Sequence, residues 1–117
     1  MPKTGTDLVN EAKQRITEID AAEARHRLEA GDALFLDVRE PNEYNLGHLP
    51  GATAMPRGTI ETKAETQLPR DRTIIAYCQG GSRSALAADT LQQMGYVVRS
   101  LRGGFRGWVE GGGPVES

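Results

Sequence analysis

The stretch Thr73-Ile74-Ile75-Ala76-Tyr77-Cys78-Gln79-Gly80-Gly81-Ser82-Arg83-Ser84 decides how this chain folds. Its first five residues are β-branched or apolar without polar alternation, as in a strand buried on both faces of a parallel sheet. Cys78 to Arg83 follow as a loop that contains two adjacent glycines. From Ser84 to Met94 the apolar positions Ala87, Leu91 and Met94 recur on one face of a helix, and Gly95 supplies its C-cap. A buried strand, a tight loop and a helix in that order make half of a β-α-β unit.

The same alternation extends in both directions. Upstream, Ala33-Leu34-Phe35-Leu36-Asp37-Val38 is a second short apolar run ending in a charge, and reads as another buried strand. Before it, Asp20 and Glu23 outline a capping box, Leu28 continues an apolar face and Gly31 suits the left-handed C′ position. Earlier still, Leu8, Val9, Ala12 and Ile16 fall at helical spacing, with Thr6 or Asp7 as the N-cap. Pro41-Asn42-Glu43-Tyr44 opens a short helix with proline at N1, and His48-Leu49-Pro50-Gly51-Ala52 is a loop leading to a brief extended segment, Thr53 to Met55. Thr59 to Thr66 reads as a short helix stopped before Pro69. Tyr96-Val97-Val98 opens a further strand running to Leu101, and Gly103-Gly104 breaks the chain before a last helix around Phe105 to Val109. The expected fold is α/β, a central parallel sheet with helices on both faces. The expected division is a helical extension over 1–18, a domain over 19–114 and a tail over 115–117, after the glycine-rich Gly111-Gly112-Gly113-Pro114.

Composition narrows the function classes. At 117 residues the chain makes one compact domain. A net charge of −2 with no cationic block gives no reason to expect nucleic acid or an acidic membrane as partner. No apolar run approaches the roughly 20 residues of a membrane helix, and the first residues lack the apolar segment of a secretory leader. A single cysteine excludes an intrachain disulfide framework and points to a reducing, cytoplasmic setting. With one cysteine and two distant histidines, His26 and His48, neither a metal site nor a cofactor is expected. The apolar face of the first helix suits packing on the domain and self-association equally, so oligomeric state stays open.

The chemistry concentrates at Cys78. It ends a buried strand, and ligands in open α/β sheets bind beyond the carboxyl ends of strands. Gly80 and Gly81 allow consecutive backbone N–H groups to converge on one point, and the helix that follows adds its positive dipole end. Gln79, Gly80, Gly81, Ser82 and Arg83 thus form a cradle that favours an anion and a charged sulfur, with Arg83 adding a fixed positive charge. On residue type alone Cys78 is a small core hydrophobe, and the glycines alone make a tight strand–helix turn. A core cysteine needs neither two glycines nor an arginine at a helix start, and the combination reads as a nucleophile's loop.

Four further motifs carry a resemblance. Asp37-Val38-Arg39-Glu40, then Glu43-Tyr44, then Gly47-His48-Leu49-Pro50-Gly51-Ala52 resembles the N-terminal signature of the rhodanese family. The Cys78 loop sits where that family carries its catalytic cysteine, and Gly103-Gly104-Phe105 with Trp108 resembles its closing motif. The likeness covers Ile19 to Pro114. It implies a rhodanese-like fold and a sulfurtransferase of the thiosulfate:cyanide type. It also implies a ping-pong reaction through a persulfide on Cys78, loaded by a small anionic donor such as thiosulfate and unloaded by cyanide, a thiol or thioredoxin. The backbone N–H groups of Gln79 to Arg83 would stabilise that persulfide. Arg57 falls near the pocket rim by resemblance, where it would attract an anionic donor; its alternative is a solvated side chain. Asp37 and Arg39 read as an ion pair or local cap, and His48 as a loop-fixing hydrogen-bond donor, with general base as the alternative. Phe105 and Trp108 read as core anchors.

Two other classes compete. Cysteine-dependent phosphatases and arsenate reductases resemble one another in placing five residues between Cys and Arg, whereas four, Gln79 to Ser82, stand between Cys78 and Arg83 here. Tyr77 also stands where many such phosphatases carry histidine. A non-catalytic rhodanese-like interaction module is the third class; such modules commonly lack the cysteine, which is present here.

Overall fold

Side chains alternate cleanly across the sheet. Leu36, Val38, Ile74, Ala76, Cys78 and Val98 belong to one buried cluster. Phe35, Ile75, Tyr77 and Leu101 belong to another on the opposite face. The apolar runs at 33–38 and 73–77 are unbroken because both faces are covered, so neither parity can be polar. These contacts come from a computed structural model that describes all 117 residues.

In chain order the elements are α1 (Gly5–Arg15), β1 (Glu18–Ile19), α2 (Ala21–Ala30), β2 (Ala33–Asp37), α3 (Pro41–Leu46) and β3 (Thr53–Ala54). A 3₁₀ turn at Arg57–Thr59 leads into α4 (Ile60–Gln67), followed by β4 (Thr73–Tyr77), α5 (Ser82–Gln93), β5 (Val98–Leu101) and α6 (Gly104–Glu110). The five strands lie in the order β1-β5-β4-β2-β3, all parallel, with β4 at the centre. The fold is the α/β arrangement expected. On one face, α4 contributes Ile60 and Ala64, and α5 contributes Ala87, Ala88 and Leu91. On the other, Ala24 of α2 and Trp108 of α6 pack with Leu49.

Local signals hold where a cap marks the boundary. The Asp20 side chain accepts from Glu23 N–H, and Gly31 closes α2 at φ 69. At α1 the cap is Thr4, neither Thr6 nor Asp7: Thr4 Oγ1 accepts from Asp7 N–H while the Asp7 carboxylate accepts from Thr4 N–H. This reciprocal box satisfies two orphan donors, and that outweighs where the apolar face begins. β1 carries no periodicity a sequence could reveal; it is two residues ordered by their neighbour β5. β5 begins at Val98, two residues after its apolar run starts, because Tyr96 turns inward and its hydroxyl donates to Ala64 and Leu68 carbonyls.

The chain ends are tied into the domain. Ala12 of α1 is fully buried, and Arg15 makes a two-bond ion pair with Asp89 of α5, at 2.7 and 3.0 Å. At the C-terminus, Glu116 and His48 exchange backbone hydrogen bonds, each 2.9 Å. No helix is long and apolar enough to cross a membrane.

Candidate active site

Cys78 leaves β4 with its side chain on the α5 face of the sheet and only 2% exposed. Gly81 takes φ 113, a left-handed turn that a side chain resists, and this folds the chain back so that its own N–H donates to Cys78 Sγ at 3.1 Å. The N–H of Ser84 donates to the same sulfur at 3.4 Å. Gly81 is also the N-cap of α5 and has no side chain to cap with. The sulfur fills that role, accepting a first-turn donor that would otherwise be orphaned. Two N–H groups and a helix dipole therefore aim at one atom, an arrangement that stabilises negative charge on it. The α5 helix begins at Ser82, two residues before the expected start at Ser84, so the irregular loop is only Gln79, Gly80 and Gly81.

A second helix end secures the loop from the other side. Phe105 and Arg106 N–H groups, in the first turn of α6, donate to the carbonyls of Cys78 (2.8 Å) and Gln79 (3.1 Å). They approach this closely because residue 104 is glycine, with φ 57; a Cβ there would lie 2.5 Å from Cys78 O and 2.6 Å from Gln79 O. The Cys78 backbone is thus pinned by α6 while its sulfur is held by α5.

Arg83 does not face an open anion site. Its guanidinium makes a two-bond ion pair with Glu43 of α3, at 2.7 and 3.0 Å. That pair holds the Glu43 carboxyl far below its ordinary value of 4.5, at about 2, chiefly through the Arg83 hydrogen bonds. A carboxyl depressed in the fold contributes stability above about 4.5 and loses that contribution as pH falls toward about 2. Glu43→Gln is therefore expected to lower stability by about 1 kcal/mol at neutral pH, after allowing for solvent screening of this part-exposed pair. The gap to the parent should close between those two pH values in urea titrations. A constant gap would show that the ion pair is not its source.

Asp37 and Arg39 form a buried ion pair. Arg39 Nη2 lies 2.7 Å from Asp37 Oδ2 and donates to the Gly47 carbonyl at 2.7 Å, with its guanidinium 4.3 Å from the Phe105 ring centre. The Arg39 N–H also donates to Asp37 Oδ1 at 2.9 Å, so the pair fixes the turn out of β2. His48 stacks on Tyr44 at 3.7 Å with Nδ1 2.9 Å from the Tyr44 carbonyl, and its loop is held further by Leu49 N–H donating to the Tyr77 hydroxyl. Burial pushes that phenol well above the usual tyrosine range. Arg57 reaches Glu61 (3.2 Å) and Thr90 (3.4 Å) and does not line the cleft beside the Cys78 loop. That cleft, about 220 Å³, is lined by Arg39, Glu43, Leu46, Gly47, Gln79 and Phe105.

The fold thus gathers Cys78, Gln79, Gly80, Gly81, Ser82 and Arg83 at the carboxyl end of the central strand β4; Arg39 lines the cleft with Gln79, and Asp37 and His48 hold the neighbouring turn and loop. Three contributors escape a reading of the chain: Ser84 as a hydrogen-bond donor to the sulfur, Glu43 as the partner of Arg83, and Gly104 as the close-approach residue. Ser84 had a signal, being the third residue after the N-cap once the helix start is known; the other two depend on long-range contacts.

A family model described as the Rhodanese-like domain matches residues 20–111. A sulfurtransferase of Allochromatium vinosum is 36% identical over 102 residues, 86% of this chain and 94% of that protein. Among solved structures, a Rhodopseudomonas palustris protein of unknown function, described as a possible tyrosine phosphatase, superposes with a TM-score of 0.88 at 35% identity, covering 99% of each chain. A rhodanese-related protein of Thermoplasma volcanium gives 0.80 at 32% identity, over 86% of this chain and 97% of its own.

Proposed function

This chain belongs to the rhodanese-like sulfurtransferase family, and on that premise we propose that Cys78 carries the transferred sulfur as a persulfide. The observation that supports this most is the convergence of the Gly81 and Ser84 N–H groups on Cys78 Sγ at the N-terminus of α5. In the first half-reaction the Cys78 thiolate attacks the outer sulfur of a donor such as thiosulfate. The new S–S bond forms as the donor's S–S bond breaks, and sulfite leaves with the electron pair. In the second, cyanide, a small thiol or thioredoxin attacks the terminal sulfur, and Cys78 departs as thiolate. Each half-reaction places negative charge on or beside a sulfur that N–H donors already surround.

The neighbourhood also bears on the donor. With Arg83 committed to Glu43, the attraction for an anion comes from backbone N–H groups rather than a free cation, so a persulfide donor suits the loop as well as thiosulfate does. The same ion pair weighs against phosphate-ester chemistry, which needs a guanidinium free to bind phosphate oxygens.

The test is intact-mass spectrometry of the reduced protein after incubation with thiosulfate or with glutathione persulfide, followed by cyanide. One added sulfur atom, removed by cyanide with release of thiocyanate, is the expected result. Failure to take up sulfur from either donor would refute the proposal, and turnover of p-nitrophenyl phosphate in its place would favour the phosphatase class.

A further inference from the structure

Behind the nucleophile lies a pair of fully buried hydroxyls, Ser84 on α5 and Ser100 on β5, their Oγ atoms 2.9 Å apart. Ser84 Oγ is also 3.6 Å from Cys78 Sγ and donates to the Gly81 carbonyl at 3.3 Å. Ser100 projects from the sheet on the same face as Val98 and Cys78, and its hydroxyl meets no polar side chain but Ser84.

Proton bookkeeping fixes the direction of these bonds. Each hydroxyl has one proton and two lone pairs. If Ser84 donated to Ser100, the Ser100 proton would be left buried without an acceptor, a cost of about 1–3 kcal/mol. The satisfied arrangement has Ser100 donating to Ser84, which leaves the Ser84 proton free to choose between Gly81 O and Cys78 Sγ. With Cys78 as a neutral thiol, its S–H donates to Ser84 Oγ and Ser84 donates to Gly81 O. Once the sulfur is charged, the Ser84 proton turns to it by a single hydroxyl rotation. The Gly81 carbonyl stays satisfied, because it also accepts from Ala85 N–H at 3.2 Å.

We infer that Ser100 is a positioning residue for the nucleophile: by donating to Ser84 Oγ it anchors that oxygen beside Cys78 Sγ and polarises its O–H, which strengthens it as a third donor to the charged sulfur. The consequence for turnover rests on the sulfurtransferase reading above; the consequence for the reactivity of Cys78 does not.

The experiment compares Ser100→Thr with Ser100→Val, two side chains of one shape that differ in the hydroxyl, and uses Ser100→Ala as a variant that adds no volume. The readouts are the rate of Cys78 alkylation by iodoacetamide at neutral pH and the rate of sulfur loading from thiosulfate. Ser100→Thr should keep the parent alkylation rate while Ser100→Val and Ser100→Ala lose about threefold. A hydrogen bond to a charged acceptor is worth about tenfold, and a less stabilised sulfur regains part of that in nucleophilicity. Adding Ser100→Ala to Ser84→Ala should slow alkylation no further, since one acts through the other. Equal rates in Thr and Val, or independent losses in the double variant, would overturn the inference. If the alkylation pattern holds but the parent protein takes up no sulfur, the sulfurtransferase reading fails and the role of Ser100 stands. If loading proceeds normally in every variant and alkylation is flat, the role of Ser100 fails alone.

Discussion

Cys78→Ser is expected to reduce sulfur loading and transfer by about a thousandfold or more, while the protein stays folded. The chain has one cysteine, so no other thiol can take over the covalent route. The replacement costs little in stability, within about 1 kcal/mol, because the site is not purely apolar. A serine oxygen in place of Sγ inherits the Gly81 and Ser84 N–H donors and still caps α5. Circular dichroism melting alongside intact-mass loading separates the two effects. Retained uptake of cyanide-removable sulfur in Cys78→Ser would mean that the nucleophile lies elsewhere.

Gly104→Ala should be among the most damaging single changes to the fold. The added Cβ would meet Cys78 O at 2.5 Å, Gln79 O at 2.6 Å and Gln79 C at 2.7 Å, all backbone atoms that no side-chain rotation can move aside. The φ of 57 is itself unfavourable for alanine. Relief requires α6 to back away from the loop, which breaks the bonds from Phe105 and Arg106 N–H to Cys78 and Gln79 carbonyls. Summing overpacking, dihedral strain and two lost hydrogen bonds gives about 3–5 kcal/mol. Urea unfolding measures this directly. Because the released carbonyls anchor the loop that aims Gly81 N–H at the sulfur, transfer should fall about a hundredfold in whatever fraction remains folded. A variant within about 1 kcal/mol of the parent, with normal transfer, would show that α6 is not the clamp described.

The two variants illustrate how unevenly the site could be read from the chain. The strand–loop–helix that carries Cys78 was legible because its evidence is local: an apolar run at 73–77, two glycines and a helix start within one stretch. The buried pair Asp37 and Arg39 was legible for the same reason, two residues apart with one turn to brace. Arg83 was misleading in isolation. Its charge reads as part of the anion cradle until α3 brings Glu43, 40 residues away, onto both of its nitrogens. Arg57 similarly reads as a rim cation and instead reaches Glu61 and Thr90. A charged side chain announces its sign in sequence but not its partner, and the partner decides whether the charge remains available.

The strand–loop–helix around Cys78, the doubly covered parallel sheet and the capping of α2 are all written into the chain. Each follows from periodicity, glycine placement or a side chain reaching its own near backbone, interactions whose range is a few residues. What surrounds the sulfur comes instead from long-range packing. Ser84 N–H reaches it because α5 starts at Ser82 and so makes Ser84 its third residue, Ser100 arrives from a neighbouring strand, and α6 closes on the loop through the missing Cβ of Gly104. These contacts join residues distant in the chain, and their energies depend on separations of tenths of an ångström that no local pattern encodes.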